Sequence, residues 1–388
     1  MIFDNVPEAP PDAVFGLLGA FSADSRPQKV NLLVGIYKNE QLQNEMMPSV
    51  IEAKSQVLPD VSLADYLPMD GSRDFVEAVG SLVFGDGNVY GAQAIGGTGA
   101  LRIGGEFLAQ EVGKTIYIPE FSWPNHRSIF ERAGFCVETY PYYERTRHEF
   151  DANGCLAFLE KLPKRSIVLF HAACHNPTGC DPQMKEWAQI ARVVRERQLL
   201  PFFDFAYQGL GDGLEKDAAA IRLFLSEGLE FLVAYSCSKN FSMYCQRVGA
   251  LFVVTRNGSL KTKIASQIKR IVRAEFSNPP AHGAMIVTHI LKGNLRSQWE
   301  SELEKMRKRL HQMRCEFVRR LMAKKTSTDF RSLLEHKGMF SFIDLEKQQV
   351  QQLREKFGIY MLDNGRINIA GLNHKNLDYV ADHIIQVI

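Results

Sequence analysis

Short apolar runs alternate with longer amphipathic segments through the middle of the chain. Residues 115–118, 167–170, 199–203 and 231–235 are each four or five residues long and almost wholly apolar, as in buried parallel strands. A fifth run, residues 248–254, follows soon after. Strands that alternate with helices assemble into a mostly parallel sheet. The pattern therefore predicts an α/β fold built on such a sheet.

Longer patterns flank these runs on both sides. Residues 30–37 have the composition of a strand with one glycine, Gly35, and residues 48–58 and 73–84 are predicted helices. Residues 295–325 carry apolar side chains at intervals of three and four, which predicts one long helix with an inward face, about 45 Å in length. These side chains are Trp299, Leu303, Met306, Leu310, Met313, Phe317 and Leu321. Such a helix is long enough to join two domains.

Polar and aromatic side chains follow the predicted strands at the points where they end. The carboxyl ends of parallel strands are where open α/β sheets bind ligands. One cluster at such a position arises easily by chance, whereas several point to a site. The residues are Trp123, His126, Asn176, Asp204, Tyr207 and Lys239.

Lys239 is the first candidate for chemistry, because a desolvated amine has a lowered pKa and attacks carbonyls. Schiff-base chemistry with pyridoxal phosphate is the typical use, and Ser236 and Arg247 suit a phosphate as a hydroxyl donor and a forked cation. Ser236 and Lys239 also match the Ser-x-x-Lys signature of penicillin-binding enzymes. The Ser-Asp-Asn and Lys-Thr-Gly elements of those enzymes are missing from the sequence, which disfavours a serine nucleophile.

A glycine cluster over residues 96–102 opens a predicted helix that runs to about residue 111. Glycines at a helix start expose backbone N–H groups to an anion. Arg102 stands where a dinucleotide-binding fingerprint needs its third glycine, and no Gly-Lys-Ser/Thr follows, which argues against a dehydrogenase and a P-loop. His171 and His175 have metal-like spacing, but the segment follows a strand and lacks the zincin glutamate, so no metal is predicted.

Bulk properties add only exclusions. The 388 residues are 45% hydrophobic and carry a net charge of +2, which gives no sign of a nucleic-acid or membrane-surface partner. No apolar run approaches the roughly 18 residues that a membrane span needs, and the start has no signal-peptide core. Seven scattered cysteines without CxxC pairs are typical of reduced thiols, which predicts a cytoplasmic protein.

Taken together and in order, these motifs resemble the fold-type I aminotransferases that use pyridoxal phosphate, and within them the aspartate aminotransferase branch. The resemblance covers nearly the whole chain. The matching motifs are Tyr66-Leu67-Pro68, Gly97-Thr98-Gly99-Ala100-Leu101-Arg102, Trp123-Pro124-Asn125-His126, His175-Asn176-Pro177-Thr178-Gly179, Asp204-x-x-Tyr207-Gln208-Gly209, Ser236-x-x-Lys239-Asn240, Arg247, Ser277-Asn278-Pro279-Pro280 and Arg366-Ile367-Asn368.

The resemblance implies how the cofactor is held. Lys239 would attach it covalently and then act as the general base, and Asp204 would face the pyridine nitrogen with His126 behind it. Trp123 would stack on the ring, while Tyr207 and Asn176 would bond its phenolate oxygen. The phosphate would be bound by Gly97, Thr98, Ser236 and Arg247, together with Tyr66 from the partner of a homodimer.

It also implies the substrate contacts and the domains. Arg366 would clamp the substrate α-carboxylate, Gly35 would lie on a backbone that closes over substrate, and Arg273 would reach across the dimer to the distal carboxylate. Trp123 and Asn176 would contact substrate as well. Residues 45–305 would form the large domain, and residues 1–44 and 306–388 the small domain with its N-terminal arm and long connecting helix.

The implied reaction is transamination between L-aspartate and 2-oxoglutarate. An aromatic or broad-range aminotransferase is the alternative, and a non-catalytic regulator that binds pyridoxal phosphate is disfavoured by the complete set of Lys239, Asp204 and Tyr207. Three departures from the family pattern lie near the predicted substrate entrance: Leu33, residues 39–44, and Ile343-Asp344. They leave the breadth of accepted substrates open.

Overall fold

A seven-stranded sheet forms the centre of the molecule, with helices packed on it. The computed structural model describes residues 1–9, 12, 14–58, 65–87, 89–324 and 328–388. The helices are α1 Phe15–Ala23, α2 Pro48–Val57, α3 Arg73–Phe84, α4 Gly96–Glu111, α5 Asn125–Arg132, α6 Ala152–Leu159, α7 Met184–Arg197, α8 Leu214–Asp217, α9 Ala219–Ser226, α10 Leu260–Glu275, α11 Ala281–Lys292, α12 Arg296–Met322, α13 Lys347–Phe357 and α14 Leu377–Val387. The strands are β1 Val30–Asn31, β2 Tyr90–Ile95, β3 Thr115–Pro119, β4 Cys136–Tyr140, β5 Tyr143–Glu144, β6 Glu149–Phe150, β7 Ile167–His171, β8 Leu200–Phe205, β9 Phe231–Ser236, β10 Val248–Val254, β11 Phe340–Phe342, β12 Ile359–Tyr360 and β13 Arg366–Asn368.

The sheet has the strand order β2-β10-β9-β8-β7-β3-β4. Strands β4, β3, β7, β8 and β9 pair in parallel, and β10 is antiparallel to both of its neighbours. Every residue of β7, β9 and β10 is buried, as expected for strands covered on both faces. The predicted α/β class with a mostly parallel sheet is confirmed.

Helix α4 packs directly against β9 and β10. Gly104 permits this close approach, because a Cβ atom built there would lie 2.6 Å from the ring of Phe202 and 2.9 Å from Leu251. The helix begins at Gly96, immediately after β2 ends at Ile95. The first turn of α4 therefore lies at the carboxyl end of β2, an edge strand of the sheet.

One small sheet joins the beginning of the chain to its C-terminal part, and a second lies within the C-terminal part. Strand β1 pairs in parallel with β12, and β11 pairs antiparallel with β13. The strand predicted over residues 30–37 is wrong beyond Asn31. The carbonyl of Leu33 accepts from the guanidinium of Arg366, and the carbonyls of Val34 and Ile36 accept from the amide of Asn368. These carbonyls therefore accept hydrogen bonds from side chains instead of from the backbone of a neighbouring strand.

Helix α12 confirms the prediction of a long helix, and its two halves touch different parts of the molecule. Trp299 donates its indole N–H to the carbonyl of Asn240 at 2.8 Å and stacks on Phe241 at 4.5 Å. Arg314, 15 residues later, is buried and donates to the carbonyl of Gly338 at 2.6 Å and to Ser341 Oγ at 3.1 Å. One helix therefore supports both the Asn240 loop and strand β11.

Among the described residues, no helix is both long enough and apolar enough to cross a lipid bilayer. The seven cysteines are free thiols, and Cys155, Cys174, Cys180 and Cys237 are buried.

Candidate active site

A cavity of about 530 Å³ opens where the parallel strands end. Eleven of the fourteen predicted site residues line it, which brings together side chains from seven separate segments of the chain. These residues are Gly35, Gly97, Thr98, Trp123, Asn176, Asp204, Tyr207, Ser236, Lys239, Arg247 and Arg366. His126 lies directly behind the wall, while Tyr66 and Arg273 lie outside the cavity.

Lys239 sits on the loop that follows β9. A chain of buried hydrogen bonds fixes this loop: Asn240 Nδ2 donates to the hydroxyl of Tyr235 at 2.8 Å, and that hydroxyl donates to Gln208 Oε1 at 2.9 Å. Burial lowers the pKa of the Lys239 amine to about 8, and the charges of Arg247 and Arg366 act in the same direction against Asp204. A substantial fraction of the amine is therefore neutral near physiological pH and available as a nucleophile or base.

Asp204 lies near the end of β8 and is 7% exposed. Its carboxylate accepts from His126 Nε2 at 2.9 Å, and His126 Nδ1 lies 2.8 Å from Ser122 Oγ. Burial alone would raise the pKa of Asp204, but the bond from His126 and nearby positive charge, including that of Lys239, outweigh burial and lower the pKa. The cavity thus contains a carboxylate that stays ionised.

A metal ion does not suit this group. Ligand atoms of His126, His171 and Asp204 lie within 4.8 Å of one another. Both ring nitrogens of His126 are already bonded, to Asp204 and to Ser122, so the ring has no lone pair left for an ion. Burial lowers the pKa of His171 to about 3, so its ring is neutral where it packs against His126.

One end of the cavity is rich in donors. The glycines at the start of α4 face Arg247 and Ser236: a Cβ atom on Gly96 would lie 2.6 Å from Arg247 Nη2, and one on Gly97 would lie 3.0 Å from Ser236 Cβ. Arg247 Nη1 also bonds Ser238 Oγ at 3.3 Å. A helix start, two hydroxyls and a guanidinium at one place are suited to a phosphate group.

Arg366 lies on β13 on the side of the cavity formed by the C-terminal part of the chain. It is 2% exposed, donates to Asn176 Oδ1 at 3.0 Å and stacks over the ring of Phe340 at 4.2 Å. Its Nε has no hydrogen-bond partner within the described ranges. A buried guanidinium with an unused donor in the wall of a cavity is suited to a carboxylate.

Tyr66 and Arg273 were predicted to act across a dimer, and both are exposed in the single chain. Tyr66 is 87% exposed, and Arg273, in the last turn of α10, donates to Ser277 Oγ. Because both side chains are exposed, they are free to contact a second subunit. Their roles stay a prediction.

The structure adds two aromatic residues that the motifs had not singled out as site residues. The hydroxyl of Tyr244 accepts from the backbone N–H of Tyr37 at 2.7 Å, and its ring lies 5.9 Å from the Lys239 amine. Phe340 packs under Gly35, where a Cβ atom would lie 2.7 Å from the ring. The sequence could have indicated Tyr244 as a site residue, because it follows Lys239 by only five residues. Phe340 carried none, because its contacts are remote in sequence.

Comparison with known proteins adds an independent line of support. Residues 27–384 match the family model described as aminotransferase class I and II. The chain is 42% identical to an aspartate aminotransferase of Pseudomonas aeruginosa and 41% identical to one of Escherichia coli, with all of each chain covered.

Solved structures agree in fold. The chain superposes on an aromatic-amino-acid aminotransferase from Burkholderia pseudomallei, covalently bound to pyridoxal phosphate, with a TM-score of 0.95 and 43% identity, covering 100% of this chain and 99% of that one. An aspartate aminotransferase from the cytoplasm of Saccharomyces cerevisiae gives a TM-score of 0.96 at 35% identity, covering 100% and 98%.

Proposed function

The chain belongs to the class I and II aminotransferases, and we propose that it transfers the amino group of L-aspartate to 2-oxoglutarate, giving oxaloacetate and L-glutamate. It is an aminotransferase that depends on pyridoxal phosphate. The observation that carries the proposal is the meeting of Lys239, Asp204 and Arg366 in one cavity, in a chain similar over its full length to aspartate aminotransferases.

The cavity fits this cofactor. The donors around Arg247, Ser236 and the start of α4 suit its phosphate, and the ionised Asp204 suits its ring nitrogen. When bound, pyridoxal phosphate supplies an electron sink for the carbanion formed at the substrate Cα. Asp204 would hold a proton at the ring nitrogen. Tyr207 and Asn176 would donate to the ring oxygen, and Trp123 would cover the ring face.

We assign the proton transfers to Lys239. Its amine, with a pKa of about 8, would hold the cofactor and, when free, would take the proton from the substrate Cα. Arg366 would bind the substrate α-carboxylate through its unpaired Nε and neighbouring donors. The backbone at Gly35 would pass over the bound substrate, next to Phe340.

We further propose that residues 45–305 form a large domain, and residues 1–44 and 306–388 a small one. The pairing of β1 with β12 supports this, since it joins both ends of the chain in one sheet. Movement of the small domain would exclude water from the cavity during the reaction.

We also propose a homodimer in the cytoplasm, with Tyr66 and Arg273 completing the partner's site. Large apolar side chains exposed on the single chain support the interface. The free buried thiols support a reducing compartment such as the cytoplasm. The exposed side chains include Met1, Ile2, Phe3, Val6, Ile51 and Met69.

The direct test is to mix the purified holoenzyme with aspartate and 2-oxoglutarate and to follow oxaloacetate. We expect a turnover number of at least about 1 s⁻¹, the lower end of ordinary enzymes. An absorbance scan should show the yellow chromophore bleaching with aspartate and returning with 2-oxoglutarate. Absence of oxaloacetate, with turnover of phenylalanine instead, would replace the aspartate assignment with the aromatic one.

The aromatic alternative deserves a specific test, because the relative from Burkholderia pseudomallei is named for aromatic substrates. Changing Arg273→Ala should lower kcat/KM for aspartate by about two to four powers of ten, since an unpaired buried carboxylate costs about 3–5 kcal/mol. Phenylalanine lacks that carboxylate and should lose little. The measurement is kcat/KM for both substrates in both proteins.

A matched control is Arg270→Ala, three residues earlier on α10 and also exposed, which should leave both substrates unaffected. Mixing Arg273→Ala subunits with Lys239→Ala subunits should restore aspartate activity if Arg273 acts across a dimer, because hybrids would contain one intact site. Equal losses for aspartate and phenylalanine would make Arg273 a structural residue.

A further inference from the structure

An ion pair links two segments that lie 199 residues apart near the cavity. Arg145 directly follows β5, and one residue, Ile343, lies between the end of β11 and Asp344. The guanidinium of Arg145 donates twice to Asp344 Oδ1, through Nε at 2.9 Å and through Nη2. The side chain of Arg145 is 54% exposed and that of Asp344 18% exposed, so the pair is partly shielded from water.

Aromatic rings lie beneath this pair. The guanidinium of Arg145 lies 5.9 Å from the ring centroid of Phe121. Phe121 contacts Phe342 at 5.3 Å, and Tyr143 contacts the same ring at 5.3 Å. Phe121 precedes Trp123 by two residues, so this packing ties the Trp123 segment to strand β11.

Strand β11 in turn determines where Arg366 lies. Phe342 is the register partner of Arg366 across the β11–β13 pair, and the ring of Phe340 lies under its guanidinium at 4.2 Å. The backbone N–H of Ile343 donates to the carbonyl of Gly365 at 3.1 Å, which extends the contact to the residue before Asp344. A displacement of Asp344 would therefore be passed directly to Arg366.

We propose that Arg145 and Asp344 are positioning residues, whose ion pair holds the β11–β13 sheet so that Arg366 meets the substrate carboxylate. The proposal rests on the proposed function, in which Arg366 binds that carboxylate. Neither residue lines the cavity, so they act through Arg366. Asp344 has a φ of +51°, a conformation that Asp and Asn adopt more readily than most residues.

The test uses Asp344→Asn, which keeps this backbone preference and removes the charge, and Arg145→Gln. Each should raise KM for aspartate and for 2-oxoglutarate by about two- to five-fold, the range for a partly exposed pair, and leave kcat within about two-fold. The double variant should be no worse than either single variant. High salt should bring the ratio of variant to wild-type KM towards one, because it screens the pair.

Two controls separate positioning from stability. Arg195 and Glu227 form another partly exposed ion pair, at 46% and 40%, and neither residue lines the cavity, so Arg195→Gln should leave KM unchanged. In an Arg366→Ala background, Asp344→Asn should cause no further loss of kcat/KM, because the side chain that it positions is absent.

The proposal is overturned if KM is unchanged in both single variants, or if Asp344→Asn costs as much without Arg366 as with it. A wild-type enzyme that turns over neither substrate would instead refute the proposed function. The melting temperature of each variant identifies any loss that comes from unfolding.

Discussion

Replacing Lys239→Ala should abolish turnover while cofactor binding persists. Removal of a general base alone costs about 10²- to 10⁴-fold, and this amine is also the proposed attachment point, so we expect a loss of at least about 10⁴-fold in kcat. The predicted phosphate contacts, Arg247, Ser236 and the start of α4, are separate from the lysine. The measurements are steady-state kcat and the amount of cofactor retained after gel filtration.

Two further variants test the assignment of this role. Lys239→Arg keeps a positive charge but cannot release a proton at neutral pH, and it should be as inactive as the alanine variant. Lys185→Ala, an exposed lysine on α7, should behave as wild type. Transamination near the wild-type rate in Lys239→Ala would show that another group is the base.

Changing Asp204→Asn should have the second largest effect, a loss of about 10²- to 10⁴-fold in kcat. The side chain keeps its size but loses the charge that would hold the proton at the ring nitrogen in a buried site, where such electrostatic interactions are strong. The measurement is kcat for aspartate at saturating cofactor. A cofactor analogue with a permanent positive charge on that nitrogen should restore most of the lost rate.

A second buried aspartate provides the contrast. Asp217 accepts N–H bonds from Gly209, Gly211 and Asp212, and burial raises its pKa to about 6. Asp217→Asn should lower the melting temperature and leave kcat nearly unchanged, since the residue is outside the cavity. An undiminished rate in Asp204→Asn would remove the basis for assigning it to the ring nitrogen.

The large sheet and the contents of the cavity were accessible from sequence because their signals are local. Apolar runs of four or five residues fixed β3, β7, β8 and β9, and the side chains that follow them meet because parallel strands end at one edge. The antiparallel direction of β10 was not accessible, since a buried run has the same composition in either direction.

Contacts between remote segments account for the rest. The apolar run after Asn31 resembled a strand, but its carbonyls bond the side chains of Arg366 and Asn368, more than 330 residues away. Asp344 was seen only as a departure from the family pattern. Its partner, Arg145, had no distinguishing feature in the sequence, because an exposed arginine is ordinary.

Helix α12 has a consequence for insertions and deletions. Trp299 and Arg314 lie 15 residues apart, so an unbroken helix sets their contacts about 22 Å apart and fixes the angle between them. One residue added or removed between them would rotate Arg314 by about 100° relative to Trp299. Its buried charge would then leave the carbonyl of Gly338 and Ser341 Oγ. The segment between Trp299 and Arg314 should therefore tolerate substitutions of its exposed side chains but not a change in its length.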